Sequence, residues 1–169
     1  MHPITSIFSE MTDDTPRSCV HNTLRDLLIH GKDFKVTSQY KRMVTNLAKG
    51  VSLYKCQSKD DIDLYFQHLD QAYRSIKADG YKSQKELGKP SKDEIRIHIT
   101  ENGNLCLGSK GNHRFRMAEF LNVKLVPCNI YGVNIKWLLS LSKQTKLPPH
   151  QALLYWMDEQ TQQDAKSSS

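Results

Sequence analysis

The longest regular hydrophobic pattern in the chain lies between residues 59 and 79. Apolar side chains recur there at the helical spacing of three and four residues, at Ile62, Tyr65, Phe66, Leu69, Ala72, Tyr73 and Ile76. Ser58 and Asp61 in front of them form the sequence of a capping box, and Gly80 suits the end of a helix. The pattern predicts an amphipathic helix whose apolar face belongs to the core.

Strand patterns with a period of two occur on either side of this helix. EIRIHI (94–99) alternates, which predicts a strand with its three isoleucines inward and its Arg and His outward. Asn102-Gly103 is a strong hairpin signal, so LCL (105–107) is predicted as the returning strand. VSLYKC (51–56) also predicts a strand. LVPCNI (125–130) predicts a short one in which proline takes an edge or bulge position.

The remaining segments predict helices and loops. Near the N-terminus, the expected elements are an irregular lead-in over 1–18, a helix from Val20 to about Gly31, and a helix that Thr37 or Ser38 caps and Gly50 ends. A polar loop is expected over 81–93. Toward the C-terminus, the expected elements are a helix over 134–141, a helix over about 150–159, and a disordered tail.

Strands and helices that do not alternate regularly predict an α+β fold. We expect a small mixed sheet with packed helices, and helical extensions at both ends. The predicted boundaries are an N-terminal helical extension over 1–50, a core over 51–133, C-terminal helices over 134–160 and a disordered tail over 161–169.

Composition narrows the class of protein only modestly. The chain has 169 residues and contains no apolar run near the ~20 that a membrane-spanning helix needs. Its first residues lack a signal peptide, so a cytoplasmic location is expected. The four cysteines form no C-x-x-C pair, which predicts reduced thiols and no metal site. The net charge of +6 and the pI near 9.1 favour anionic partners, either nucleotides or nucleic acid.

The candidate chemistry lies in the turn GSKGNHR (108–114). A strand precedes this turn and an amphipathic helix with Phe115 and Ala118 on its apolar face follows it. The N-terminus of a helix presents free backbone N–H groups and partial positive charge, so it attracts anions such as phosphate. Lys110, His113 and Arg114 would add side-chain donors.

The order of motifs around this turn resembles the ParB/sulfiredoxin-like superfamily. SIKADGY is similar to the end of a helix in that family. After this helix the family has a strand, a turn, a second strand, a G-x-x-R box that opens a helix, and a Val-Pro strand. The chain has the same order, in EIRIHI, ENGN, LCLG, GNHRFRMAEFLNV and KLVPCNI. The resemblance covers roughly residues 58–137. It implies a nucleotide-binding domain in which Gly111 and Arg114 meet phosphates, with His113 matching the His of the sulfiredoxin box.

Two departures from the family limit what the resemblance implies. Asn112 stands where sulfiredoxins carry their reactive cysteine, and Cys106 is six residues away, so sulfinic-acid reductase chemistry is not expected. The chain also has no evident helix-turn-helix region after Trp137, which argues against a role in chromosome partition.

Our first hypothesis is a ParB-like domain that binds a nucleoside triphosphate such as ATP or CTP, with hydrolysis or phosphoryl transfer as a further activity. His113 and Arg114 are the candidate catalytic residues, and Mg²⁺ would bridge the phosphates. The expected binding residues are Gly108, Ser109, Lys110, Gly111, Asn112, His113 and Arg114 in the turn, and Ser83 and Gln84 beside the nucleotide.

Two alternatives stay open at this point. A nucleic-acid-binding or nuclease module would use the same turn to hold a DNA phosphate. A non-catalytic adaptor would bind a protein partner through the helices over 134–160. No membrane partner is expected.

Overall fold

A four-stranded mixed sheet organises the molecule. The computed structural model describes the backbone of residues 3–4, 19–123 and 125–167, and the side chains of residues 19–123 and 125–160. The strands are β1 (Pro3–Ile4), β2 (Ile95–Ile99), β3 (Leu105–Leu107) and β4 (Val126–Val133), in the order β1-β4-β2-β3. β2 and β4 are parallel, and the other two pairs are antiparallel. The predicted α+β class is therefore confirmed.

The β2–β3 hairpin follows the sequence pattern closely. Ile99 lies opposite Leu105, and the amide of Thr100 donates to the carbonyl of Asn104 at 2.9 Å. Gly103 has a φ of +81°, a backbone conformation that glycine adopts without strain. Local turn chemistry and alternation are thus enough to specify this part of the sheet.

The chain returns from β3 to β4 through helix α4 (Asn112–Phe120), which packs on the inner face of the sheet. β4 is longer than the strand predicted over 125–130. Its register against β2 shifts between Ile97 and His98, so that Tyr131 is an extra residue, as in a β-bulge. Pro127 lies just before this pairing begins and opposite Pro3 of β1.

The inner face of the sheet forms the main core. It contains Ile95, Ile97, Ile99, Leu105, Phe115, Ala118, Val126 and Cys128, all buried. Two C-terminal helices, α5 (Ile135–Thr145) and α6 (Pro149–Ser167), add Trp137, Leu153 and Trp156 to it. α6 continues eight residues past the predicted end at Glu159, into the segment that the sequence predicts to be a disordered tail. Residues 168 and 169 lie outside the described part.

Within the described residues, three α-helices lie between β1 and β2. They are α1 (Cys19–Leu24), which continues as a π-helical turn over Arg25–Ile29, α2 (Ser38–Ala48) and α3 (Lys59–Asp79). Thr37 caps α2, and Ser58 and Asp61 form the predicted capping box of α3. Of the predicted irregular lead-in over 1–18, only Pro3–Ile4 lies within the described residues, and it forms β1.

The strand predicted over 51–56 is wrong, because this segment is a tight turn. The amide of Cys56 donates to the carbonyl of Leu53 at 3.0 Å, and Tyr54 and Lys55 have φ values of 53° and 64°. Tyr54 stacks on Tyr65 of α3 with ring centroids 5.0 Å apart. Packing on α3 therefore overrides the strand propensity of the segment.

The segment between α3 and β2 is the polar loop that the sequence predicts, with a short 3₁₀ turn at Ser91–Asp93. This loop matters for the site because it runs beside the C-terminal half of α3. Within the described residues, none of the helices combines the length and the apolar character that a membrane crossing requires.

Candidate functional site

The glycines of the predicted phosphate turn lie against strand β2. Gly111 is the N-cap of α4 with a φ of +86°, and a Cβ at this position would lie 2.7 Å from the Cα of Ile95. A Cβ at Gly108 would lie 2.9 Å from the carbonyl oxygen of Arg96. Contacts this short leave no room for a side chain, so packing alone requires both glycines.

Lys110 is engaged within the protein. Its ammonium group forms an ion pair with Asp93, and its carbonyl accepts the amide of Arg96 at 3.0 Å. Asp93 belongs to the 3₁₀ turn before β2, and the nearby ammonium lowers the pKa of its carboxyl. Lys110 therefore fastens the turn over 108–111 to the start of β2.

Arg114 occupies the centre of the site. One of its terminal nitrogens donates to the carbonyl of Asp93, and the other lies 3.5 Å from a carboxylate oxygen of Glu94. Glu94 is fully buried, whereas 23% of the Arg114 side chain is exposed. The guanidinium is thus held from behind by an anion and a carbonyl, and part of it is open to solvent.

Glu94 places an ionisable carboxyl group in the interior of the protein, which is unusual. Its Oε1 accepts the backbone amide of Gln84, while its Oε2 makes no hydrogen bond within the described residues. Burial raises the pKa of Glu94, and the amide of Gln84 and the charge of Arg114 act in the opposite direction. The carboxyl ties the polar loop and α4 together at one point.

An open cleft lies in front of Arg114. It has a volume of about 530 Å³ and runs between the C-terminal half of α3 and the polar loop. Its lining consists of His68, Gln71, Ala72, Ser75, Ile76, Gly80, Tyr81, Lys82, Gln84, Leu87, Lys89 and Arg114. The cleft therefore combines an apolar wall with amide and hydroxyl groups and three permanent cations.

His113 lies elsewhere, against helix α3. Its Nε2 is 2.8 Å from the hydroxyl of Tyr65, which also accepts a hydrogen bond from Gln39 Nε2 at 3.1 Å. Burial lowers the pKa of His113 to about 4, so the imidazole is neutral at pH 7. Burial also raises the pKa of Tyr65, which keeps its hydroxyl proton available to donate.

Only part of the predicted site is assembled in the cleft. Arg114 and Gln84 line it. Ser83 is adjacent in the loop, where its amide and hydroxyl bond to Glu86. The other predicted residues, Gly108, Ser109, Lys110, Gly111, Asn112 and His113, are not among the lining residues.

Sequence reasoning missed the two lysines of the cleft. Lys82 and Lys89 belong to a loop with scattered charge, and nothing in their spacing separates them from Lys85 between them. The sequence signal that could have found these lysines is the position of their loop directly after the helix end SIKADGY. The same position led to the prediction that Ser83 and Gln84 bind the nucleotide.

The expected Mg²⁺ finds no ready set of ligands in the protein. Within the described part of the chain, no group of three or more His, Cys, Asp or Glu residues is placed to hold a metal ion. The nearest buried carboxylate, Glu94, faces Arg114. Side chains at this cleft therefore do not fit a resident magnesium ion, and the ligand phosphates would have to carry it.

A comparison of the chain with protein-family models, with curated proteins and with solved structures returns no match. The resemblance of residues 58–137 to the ParB/sulfiredoxin-like superfamily therefore stays a prediction.

Proposed function

We propose that this protein binds a nucleotide in the cleft between α3 and the polar loop, with the phosphates directed toward Arg114. The observation that carries the proposal is the meeting of Arg114, Lys82 and Lys89 in one cleft of about 530 Å³. This volume lies within the usual range of small-molecule sites. Phosphate groups are the anions that such a cluster of guanidinium and ammonium groups binds best.

The charges around the cleft favour an anion. Glu94 offsets one of the three cations, but it lies behind Arg114 and does not line the cleft. Lys82 lies 3.7 Å from Asp79, and both side chains are about half exposed, a kind of pair that contributes little. Lys89 and the exposed part of Arg114 are therefore available to a ligand.

The rest of the lining suits a base and a sugar. Ala72, Ile76 and Leu87 supply apolar contact area, and 45% of Leu87 is exposed. Gln71 and Ser75, one helical turn apart on α3, offer an amide and a hydroxyl for hydrogen bonds. A cleft with apolar walls and a few polar groups is the usual form of a ligand site.

The anchoring of Arg114 supports a positioning role. A guanidinium that is fixed by Glu94 and by the carbonyl of Asp93 loses little side-chain entropy when a phosphate binds. Replacing Arg114 by alanine would also leave the buried carboxylate of Glu94 unpaired, so that variant tests folding as much as binding. Lys89 is the better residue for a first test because it is exposed.

Isothermal titration calorimetry with ATP, CTP, GTP and inorganic triphosphate tests the proposal. Lys89→Glu should weaken nucleotide binding at least about tenfold, because reversing a charge near a phosphate changes the binding free energy by more than ~1.4 kcal/mol. Lys85→Glu is the matched control, since it makes the same charge change in the same loop outside the cleft. Equal losses in both variants would show that only the overall charge matters.

Two further outcomes decide between the functional classes. Binding of a DNA duplex without any nucleotide binding, falling steeply with salt, would replace the proposal by nucleic-acid binding. Failure to bind either, together with capture of a protein through residues 134–160, would favour an adaptor. Hydrolysis or phosphoryl transfer stays a prediction, and phosphate release from ATP, CTP and GTP with added Mg²⁺ measures the hydrolytic part.

A further inference from the structure

The outer face of the sheet carries a second group of side chains with recognisable chemistry. The guanidinium carbon of Arg96 lies 4.2 Å from the ring centroid of Tyr131, within the distance of a cation–π contact. The imidazole of His98 meets the same ring edge-on, with centroids 5.8 Å apart. Tyr131 nevertheless keeps 62% of its surface exposed. We call these three residues the Tyr131 platform.

The backbone of β4 directs Tyr131 toward the outer face of the sheet. The β-bulge in β4 makes Tyr131 an extra residue, so that Ile130 and Val133 both pack on the inner core while the tyrosine points outward. A bulge redirects side chains in this manner without ending the strand pairing. The orientation of Tyr131 is therefore a property of the sheet and does not depend on a flexible loop.

Two glycines make room for His98 on the same face. A Cβ at Gly132 would lie 2.5 Å from the Nδ1 of His98, and a Cβ at Gly108 would lie 3.0 Å from its Nε2. The imidazole thus lies across the neighbouring backbones, where any other residue type at position 132 would displace it. The flat ring of His98 in turn supports the edge of Tyr131.

We propose that the Tyr131 platform binds single-stranded nucleic acid by stacking an exposed base on the open side of the Tyr131 ring. Aromatic side chains on sheet surfaces bind unpaired bases in this manner, and a cation behind the ring adds to the attraction. Bases in a duplex are already stacked and are not free to make this contact.

The charge of this face suits a polyanion such as nucleic acid. The strands β2, β3 and β4 contain no acidic residue, and Arg96 is the one Arg or Lys among them. The whole chain has a net charge of +6. A phosphate backbone that passes over this face would meet no carboxylate from these strands.

The platform is separate from the nucleotide cleft. Arg114 belongs to α4, whose Phe115 packs on the inner face of the sheet, whereas Arg96 and Tyr131 lie on the outer face. The inference therefore does not rest on the proposed function. Variants of the two places can be compared directly.

Fluorescence anisotropy of labelled 12-nucleotide oligo(dT) and oligo(U) tests the inference, with a duplex of the same length as reference. We expect both single strands to bind more tightly than the duplex and to bind more weakly at higher salt. Preference for one of the two would identify DNA or RNA as the ligand. Binding of neither, or a preference for the duplex, would overturn the inference.

Substitutions locate the binding. Tyr131→Ala should weaken oligonucleotide binding at least about fivefold, whereas Tyr131→Phe keeps the ring and should bind like the wild type. Tyr155→Ala is the control, since it removes a tyrosine of similar exposure, 49%, on another element. Nucleotide binding in the cleft should not change in Tyr131→Ala. If Lys89→Glu abolishes oligonucleotide binding and Tyr131→Ala does not, the strand binds at the cleft and the inference is wrong.

Discussion

The burial of His113 makes the stability of the protein depend on pH in a defined way. The Tyr65 hydroxyl accepts a hydrogen bond from Gln39, so its single proton is left to donate to Nε2 of His113. A protonated imidazole has no lone pair to accept that bond. Protonation therefore costs both the hydrogen bond and the burial of a charge, in agreement with the lowered pKa of about 4.

The size of the effect follows from the two states. In the unfolded chain His113 takes up its proton near its ordinary pKa of 6.5, and in the folded protein near 4. Between these values the unfolded chain binds more protons, so the free energy of unfolding falls as the pH falls through this window and levels off below it. Lowering the pH from 7.0 to 4.5 should cost about 2 kcal/mol through this one group.

Urea unfolding at these two pH values, followed by tryptophan fluorescence, measures the difference. The wild type should lose about 2 kcal/mol more than His113→Gln, which replaces the imidazole by an amide that does not titrate. His68→Gln is the matched control, because solvent reaches the ring of His68 in the folded protein. Equal pH dependence of the wild type and His113→Gln would refute the reasoning.

Two predictions concern backbone conformation. Lys55→Gly should stabilise the protein by about 0.5–1 kcal/mol, because glycine adopts the left-handed conformation at φ 64° without strain. Lys55→Ala should give no such gain. Thermal unfolding of both variants measures the difference. Gly111→Ala should destabilise by at least about 1 kcal/mol more than Gly88→Ala, since both glycines have positive φ but only Gly111 faces Ile95 at 2.7 Å. Equal losses of stability in the two alanine variants would show that the positive φ alone, and not the contact with Ile95, determines the cost at Gly111.

Elements with local causes were predictable from the sequence. The capping box and apolar stripe of α3 and the alternation of β2 act within a few residues, and each was found where the pattern places it. The strand predicted over 51–56 is wrong because the conformation of this segment depends on the contact between Tyr54 and Tyr65. Strand propensity is a property of the segment alone and does not include that contact.

The site was predictable only in part for the same reason. Gly111 and Arg114 stand out in the sequence, but the glycine serves packing against Ile95 and the arginine is held by Glu94, twenty residues before it. The cleft forms where the loop returns along α3, and only that return selects Lys82 and Lys89 over Lys85. The roles of these residues therefore depend on contacts between segments that are distant in the sequence.

An NMR titration of the ¹⁵N-labelled protein with a nucleoside triphosphate tests the central claim most directly. We expect the shifts to concentrate in the side-chain N–H of Arg114 and in the amides of the loop residues that line the cleft, which are Gly80, Tyr81, Lys82, Gln84, Leu87 and Lys89. A spectrum that stays unchanged at millimolar ATP, CTP and GTP would contradict the claim. Shifts confined to the sheet around Tyr131 would contradict it as well.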